Sequence, residues 1–340
     1  MTQLLSQIPL IQTKLINWYE ENQRDLPWRK QPVNPYHILV SEVMLQQTTV
    51  ATVKGYFTKF LERWPAIQDL AAASQDELMQ CWQGLGYYSR ARNLHKTAKI
   101  VADKYHGYLP NSYHELMTLP GLGPYTAAAI ASIAFGESII AIDTNVNRVL
   151  CRLFAVSSFG KIQKIQIQEV ADALAHTDHS GAISQALMDI GSTICKSKNP
   201  RCADCFLKNN CLAFSKDLQN ILPLKPVKPP RPKRFGHSFI MRHKNQVCIE
   251  KRPEKGLLAS MYQFPSSEFS SEQTVVQYPI KSEWVHIGTV RHIFTHFELE
   301  LTLWETFVAN TNNGQWTALS NLGNYGLPTM FKKALAYVKT

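Results

Sequence analysis

Apolar residues recur every three or four positions from Leu4 to about Phe214, as in LLSQIPLIQTKLINWY and VADALAHTDHSGAISQALMDIG. This spacing puts apolar side chains on one helix face and predicts a helical region broken by short Pro and Gly turns. Farther along, HSFIMRHKNQVCIEKR and ELELTLWETFVA alternate at period two, which predicts strands. The closing stretch PTMFKKALAYVKT predicts a last helix.

A proline-rich segment separates the two patterns. DLQNILPLKPVKPPRPKRF, residues 217–235, has five prolines between Pro223 and Pro232, so it cannot continue a helix and is expected to be an extended linker. Residues 216–234 hold six Lys or Arg and one Asp, and so carry +5 of the formal charge of +10. A solvated spacer and a connector lying near a phosphate backbone both fit this charge.

The length of 340 residues suits two domains, and the net charge of +10 favours a polyanionic partner such as nucleic acid, with acidic lipid as the competing one. The longest apolar run, residues 127–135, is half of the roughly 18 residues that a membrane span needs. The N-terminus lacks the features of a signal peptide. We therefore expect no membrane association and a monomeric cytoplasmic protein, associated with the nucleoid if it is bacterial.

The stretch LPGLGPYTAAA, residues 119–129, predicts a tight turn that enters an Ala-rich helix. Gly121 and Gly123 allow backbone conformations and close approaches that a side chain would forbid. Amide groups at the helix start could then hold a phosphate oxygen without reading sequence. An ordinary Gly/Pro connection between helices is the alternative.

Two carboxylates have sequence contexts that suit catalysis. Glu42 lies within PYHILVSEVMLQQTTV, and in a helix it shares a face with Ile38, Leu39 and Leu45. Desolvation there raises the pKa of a carboxyl group and keeps it protonated, as a general acid requires. The usual interpretation of a Glu in a helix is a surface position. Asp143 precedes an apolar-periodic helix, where an Asp is most often a helix cap.

Four of the seven cysteines fall within 17 residues and have the spacing C-x6-C-x2-C-x5-C. They are Cys195, Cys202, Cys205 and Cys211. Clustering of this kind indicates metal rather than disulfides, and the spacing alone leaves zinc and iron-sulfur both open.

Several blocks occur together: LPWR at 26–29, SEVMLQQT at 41–48, GLGYYSRARNLH at 84–95 and SQALMDIG at 184–191. With the hairpin and the cysteines, they resemble the MutY family of adenine DNA glycosylases, which are helix-hairpin-helix, iron-sulfur DNA repair enzymes. The resemblance implies an all-helical glycosylase domain at 1–194, an iron-sulfur loop at 195–214 and a linker at 215–234. It also implies a MutT-like (Nudix-type) α/β domain at 235–340, and a 4Fe-4S cluster on the four cysteines.

The implied activity is monofunctional hydrolysis of the bond between adenine and its sugar, at adenine mispaired with 8-oxoguanine or guanine in duplex DNA. This reaction begins base excision repair. Glu42 would be the general acid and Asp143 would stabilise the cationic sugar, with Asn145 and Tyr125 orienting them. The family usually has Gly where this chain has Thr144, which affects the loop beside Asp143.

Further residues map to DNA contacts by the same resemblance. Gln47 and Tyr87 would fill the gap left by a base turned out of the stack. Apart from the resemblance, Gly121 and Gly123 at the helix start could hold a phosphate. Arg92 has Lys96 and Lys99 at i+4 and i+7, so this helix face could lie along phosphates, although a solvated face fits the same spacing. The Phe-Ser-His turn of the family, which recognises 8-oxoguanine, corresponds to Phe294, Thr295 and His296, where Thr keeps the hydroxyl group.

Two other functions compete. An endonuclease III-like glycosylase/lyase would need a lysine in the hairpin, at the position that Tyr125 occupies, because strand cutting requires an amine that forms a Schiff base. A non-catalytic iron-sulfur DNA-binding redox sensor would need only the basic charge and the cluster. Buried carboxylates are of no use to such a sensor, so the enzyme is favoured.

Overall fold

The computed structural model describes residues 6–224, 229–253, 256–311 and 314–338. The chain forms two compact units, Met1–Val227 and Lys228–Thr340. Residues 225–228 of the predicted linker lie outside the described residues. Within the described ranges, none of the helices is long and apolar enough to cross a membrane.

The first unit is helical, as its sequence pattern predicts. Its α-helices are α1 (Ile8–Asn22), α2 (Pro35–Leu45), α3 (Val50–Arg63), α4 (Ile67–Ala72), α5 (Gln75–Cys81), α6 (Ser89–Lys104), α7 (Tyr113–Leu116), α8 (Pro124–Phe135), α9 (Thr144–Leu153), α10 (Gly160–Ala175), α11 (Ser180–Thr193) and α12 (Leu212–Ser215). Short 3₁₀ turns occupy Pro27–Arg29, Cys202–Asp204 and Lys208–Asn210.

Two apolar cores hold these helices together. One core buries side chains of α2 to α8, with Trp82 and Phe60 among the largest. The other buries side chains of α1, α9, α10 and α11, including Leu15 and Leu187. Helix α8 packs against both α2 and α11, so it joins the two cores.

The turn before α8 only partly matches its predicted geometry. Gly121 has a φ of 79°, and a Cβ atom there would lie 2.6 Å from Cβ of Asn93, so both the left-handed backbone and the close approach require glycine. Gly123 differs, because its φ is −88° and a Cβ atom would meet nothing within 4 Å. Gly123 serves as the N-cap residue of α8 and leaves the space at the helix start open.

The second unit is an α/β domain. Its strands are β1 (Lys233–His243), β2 (Gln246–Lys251), β3 (Tyr262–Gln263), β4 (Val285–Ile293), β5 (Glu298–Phe307) and β6 (Gln315–Ala318), and α13 (Thr329–Leu335) follows. The sheet order is β3-β2-β1-β5-β4, with β6 beside β2. Strands β1 and β5 are parallel, and the other pairs are antiparallel. The predicted helical domain followed by an α/β domain is confirmed.

Strand β1 begins earlier than the sequence suggests. Lys233 and Arg234 fall within the predicted linker at 215–234, yet they pair with Glu298 and Leu299 of β5. The alternating burial of β1 starts only at Phe235, so the charged beginning of the strand carries no apolar signal. The predicted boundary at residue 235 therefore lies inside this strand.

Candidate active site

A cavity of about 380 Å³ opens where the two helical cores meet. Its wall includes five of the residues predicted to act on DNA: Glu42, Gln47, Tyr125, Asp143 and Asn145. The other predicted residues of the helical unit, Tyr87, Arg92, Gly121 and Gly123, do not line it. The fold thus brings the two predicted carboxylates to one enclosed space from positions 101 residues apart in the chain, 42 and 143.

Glu42 is the buried acid of this cavity. It lies on α2 with Ile38 and Leu39, and only 5% of its surface is exposed. Burial raises the pKa of its carboxyl group to about 7. A hydrogen bond from Tyr125 lowers this pKa, but the effect of burial is larger. Its Oε2 atom has no hydrogen-bond partner among the described residues, so a buried oxygen is left for a bound molecule.

Asp143 is both a helix cap and a wall of the cavity. As the N-cap residue of α9, it accepts a hydrogen bond from the Val146 amide at 2.7 Å on Oδ1. The Asn145 amide group donates to Oδ2 at 2.8 Å. Arg148 in turn donates to Asn145 Oδ1 at 2.8 Å and to the Cys195 carbonyl at 2.8 Å. These contacts fix the orientation of the Asp143 carboxylate and tie it to the first cysteine of the cluster.

Tyr125, at the start of α8, lies beside both acids. Burial raises the pKa of its phenol well above 10, and the nearby Glu42 and Asp143 raise it further. The hydroxyl group also lies 3.9 Å from the Met188 sulfur. The phenol is therefore neutral at physiological pH and can donate a hydrogen bond to a carboxylate.

Sequence reasoning missed a buried ion network that forms another wall of the cavity. Asp189 on α11 is fully buried and accepts hydrogen bonds from Arg24 at 2.7 Å and from Arg29 at 2.6 Å. Arg29, Trp28 and Gln185 all line the cavity. The blocks LPWR and SQALMDIG contain these residues, and their common signal is a charged residue within an apolar block.

The predicted DNA-contact residues lie on exposed turns and on one helix face. Gln47 follows α2 and is exposed, and Tyr87 precedes α6 with half of its surface exposed. Lys96 and Lys99 on α6 are exposed and follow Arg92 at helical spacing, while Arg92 is half-buried. These positions give the helical unit a cationic face and two projecting side chains.

The four predicted metal-binding cysteines are half-buried, and their thiol groups interact electrostatically with one another. Arg152 on α9 places Nη1 3.3 Å from the Cys195 sulfur and 2.7 Å from the Lys196 carbonyl. A buried cation beside a thiol suits an anionic metal-thiolate centre. Within the described part of the chain, no group of three or more His, Cys, Asp or Glu side chains forms a site for a metal ion.

The turn that carries the predicted damage-recognition residues connects β4 to β5. The Phe294 amide donates to the Phe297 carbonyl at 2.8 Å, and the two rings stack with centroids 4.7 Å apart. Arg234 of β1 covers the Phe297 ring at 4.6 Å. Thr295 and His296, which lie between these two phenylalanines in the chain, are exposed.

Two family descriptions match the chain. Residues 40–175 match the HhH-GPD superfamily of base excision DNA repair proteins, and residues 237–337 match the NUDIX domain. Among solved structures, a thermostable thymine-DNA glycosylase is similar with a TM-score of 0.57 and 28% identity, over 62% of this chain and 98% of that one. A non-covalent endonuclease III-DNA complex is similar with a TM-score of 0.52 and 29% identity, over 63% and 98%.

Relatives with longer matches share one name. An adenine DNA glycosylase of Buchnera aphidicola subsp. Baizongia pistaciae is 34% identical, over 96% of this chain and 95% of its own length. The adenine DNA glycosylase of Homo sapiens is 32% identical, over 87% of this chain and 66% of its own length. Because the match spans both units at this identity, the chain belongs to the adenine DNA glycosylase family of base excision DNA repair enzymes.

Proposed function

We propose that this protein is a monofunctional adenine DNA glycosylase that releases adenine mispaired with 8-oxoguanine or guanine in duplex DNA. The observation that carries the proposal is Glu42, a buried carboxyl group with a pKa near 7 and an oxygen free for a ligand, in one cavity with Asp143. Two carboxylates in different environments around one cavity are what glycoside hydrolysis uses. Adenine must leave the base stack to reach them.

Glu42 begins the reaction as the acid. Its proton passes to a ring nitrogen of adenine as the bond between base and sugar breaks, and the bonding electrons leave with the base. At physiological pH a large fraction of Glu42 carries this proton, because burial raises its pKa to about 7. Water is then added at the cationic sugar carbon, and Glu42, now a carboxylate, accepts the water proton.

Asp143 stabilises the positive charge that develops on the sugar. The Val146 amide and the Asn145 side chain hold its two oxygens, so the carboxylate needs no rearrangement as the charge forms. The flat ring of Trp28 and the polar ends of Arg29 and Gln185 complete the wall, and we assign them to contacts with the adenine ring. On the DNA, Gln47 and Tyr87 fill the gap left by the base, while Arg92 and the open helix start at Gly121 and Gly123 contact phosphates.

Strand cutting is expected to be absent. A lyase needs an amine, and no lysine lines the cavity among the described residues, whereas Tyr125 occupies the hairpin position. The wild-type product should stay an intact strand until alkali is added, and borohydride should trap no covalent complex. Tyr125→Lys should gain trapping, because a desolvated lysine has a lowered pKa. Tyr125→Phe is the control without an amine, and trapping by wild-type protein would establish the endonuclease III-like alternative.

Thr295 is assigned to recognition of 8-oxoguanine through its exposed hydroxyl group. Thr295→Val keeps the shape and removes the hydrogen bond, so the preference for 8-oxoguanine over guanine should fall about three- to tenfold, the effect of one hydrogen bond. The measurement is the ratio of single-turnover rates on two duplexes that differ only in the base opposite adenine. Thr295→Ser should keep the ratio, and equal ratios for all three proteins would remove Thr295 from recognition.

A 4Fe-4S cluster is assigned to Cys195, Cys202, Cys205 and Cys211, with Arg152 beside the first sulfur. When bound, such a cluster supplies a rigid anchor for the loop between the cysteines. Purified protein should contain about four iron and four sulfide per chain. Cys202→Ala should lower the iron and the sulfide content, whereas the control Cys81→Ala on α5 should change neither. One zinc ion per chain in place of iron would contradict the assignment.

A further inference from the structure

Arg90 is a buried arginine beneath the two exposed turns that carry Gln47 and Tyr87. It is the second residue of α6, and 7% of its surface is exposed. A lone arginine needs compensating partners to be buried, so its hydrogen bonds identify what it holds. Between them, its two terminal nitrogens bond to both turns.

One side of the guanidinium group binds the end of α2. Nη1 donates to the carbonyls of Val43 at 2.9 Å and Met44 at 2.8 Å, and it also contacts the Gln46 carbonyl. The last carbonyls of a helix have no partner within the helix and carry partial negative charge. Arg90 thus fixes the residues that lead directly into Gln47.

The other side binds the turn before α6. Nη2 donates to the carbonyls of Leu85 at 3.1 Å and Gly86 at 3.2 Å, and to the Thr48 hydroxyl at 3.2 Å. The guanidinium carbon also lies 5.4 Å from the Tyr87 ring centroid. A planar group with several donors can hold two segments at once, which the single ammonium group of lysine cannot do.

Both projecting residues have a strained backbone. Gln47 has a φ of 57° and Tyr87 a φ of 48°, in the left-handed region that residues other than glycine rarely adopt. Such conformations persist only where surrounding contacts determine them, and they concentrate at functional positions. The carbonyls of Gln46 and Gly86, one residue before each strained position, both accept hydrogen bonds from Arg90.

We propose that Arg90 is a positioning residue that holds Gln47 and Tyr87 at a fixed spacing, so that both enter the duplex together as the target base leaves it. The inference rests on the proposed function and extends it to a buried residue that does not line the cavity. Desolvation lowers the pKa of Arg90 to about 10, so the group stays charged at physiological pH. The effect of losing Arg90 should therefore appear in base extrusion rather than in DNA affinity.

The test uses a duplex with adenine opposite 8-oxoguanine and 2-aminopurine as the neighbour of that adenine, since its fluorescence rises on unstacking. Full-length Glu42→Gln protein supplies a complex that does not turn over quickly. Arg90→Met and Arg90→Lys are each combined with Glu42→Gln in one double variant. Binding of each protein to the duplex is followed by fluorescence anisotropy. The 2-aminopurine fluorescence is then measured at saturation and divided by the concentration of complex. The control is Arg63→Lys on α3. Arg63 lies over the Trp64 ring, as Arg90 lies over the Trp82 ring, but it forms an exposed salt bridge with Glu77.

Glu42→Gln and its Arg63→Lys version should show the full fluorescence rise, and both Arg90 versions should lose most of it while still binding. With native Glu42, Arg90→Lys should lower the maximal rate of adenine release about thirty- to hundredfold, as misplacement of a positioning group does, with little change in KM. If Arg90→Met does not fold, Arg90→Lys, which keeps the charge, decides the matter. A full rise with Arg90→Lys would overturn the inference, whereas no adenine release by wild-type protein would reject the proposed function instead.

Discussion

Glu42→Gln is expected to lower the single-turnover rate of adenine release by about 10²- to 10⁴-fold, the usual contribution of a positioned general acid. Glutamine has nearly the same shape and keeps an oxygen for Tyr125, but it has no proton to give to the base. The side chain is 5% exposed, so a neutral amide should also be tolerated at this position. If the melting temperature and the DNA affinity are unchanged, the loss of rate lies in the chemical step.

The same residue sets the expected pH dependence. The protonated form of Glu42 is the active one, so the rate should be flat below pH 7 and fall as the pH rises through the pKa of about 7. Residual release by Glu42→Gln should lack this step. Activity of the Gln variant equal to that of the wild-type protein, or an identical pH profile, would reject Glu42 as the acid.

Asp143→Asn is expected to cost about 10²- to 10³-fold in the same rate, as loss of one electrostatic group at a developing charge does. Asparagine is as good an N-cap residue as aspartate, so its oxygen can still accept the Val146 amide hydrogen bond and helix α9 should keep its stability. The substitution therefore removes the negative charge and the hydrogen bond from Asn145, while keeping the helix cap.

The matched control for Asp143 is Asp172→Asn, an exposed carboxylate on α10 that accepts a hydrogen bond from Gln168. It should release adenine at the wild-type rate. The Asp143→Asn variant could instead melt several degrees below the wild-type protein and lose activity only in proportion to its loss of folded protein. That result would assign Asp143 to helix capping alone.

Local pattern was enough to predict the helical unit, the strand-rich unit and the burial of Glu42. Glu42 shares its helix face with Ile38 and Leu39, and that one-dimensional spacing already implies desolvation. Asp143 was harder, because capping and catalysis require the same residue at the same place. The family resemblance favoured catalysis.

The residues that sequence reasoning missed depend on contacts between distant segments. Arg29 and Asp189 are 160 positions apart, and Arg90 bonds to carbonyls more than 40 positions earlier. Backbone carbonyls carry no residue signature, so nothing in the sequence marks them as partners of Arg90. The boundary at β1 was missed for a related reason, since Lys233 is placed by its pairing with β5 and not by its own polarity.

The ion network around Asp189 also has a consequence for the order in which the protein forms. Arg24 and Arg29 leave the ribosome first, and the carboxylate that neutralises them follows 160 to 165 residues later. At about 5–20 residues per second, that interval is roughly ten to thirty seconds. The cavity wall that contains Arg29 cannot form before α11 has been synthesised, because Asp189 lies on that helix. A nascent chain that ends before α11 therefore has no complete cavity.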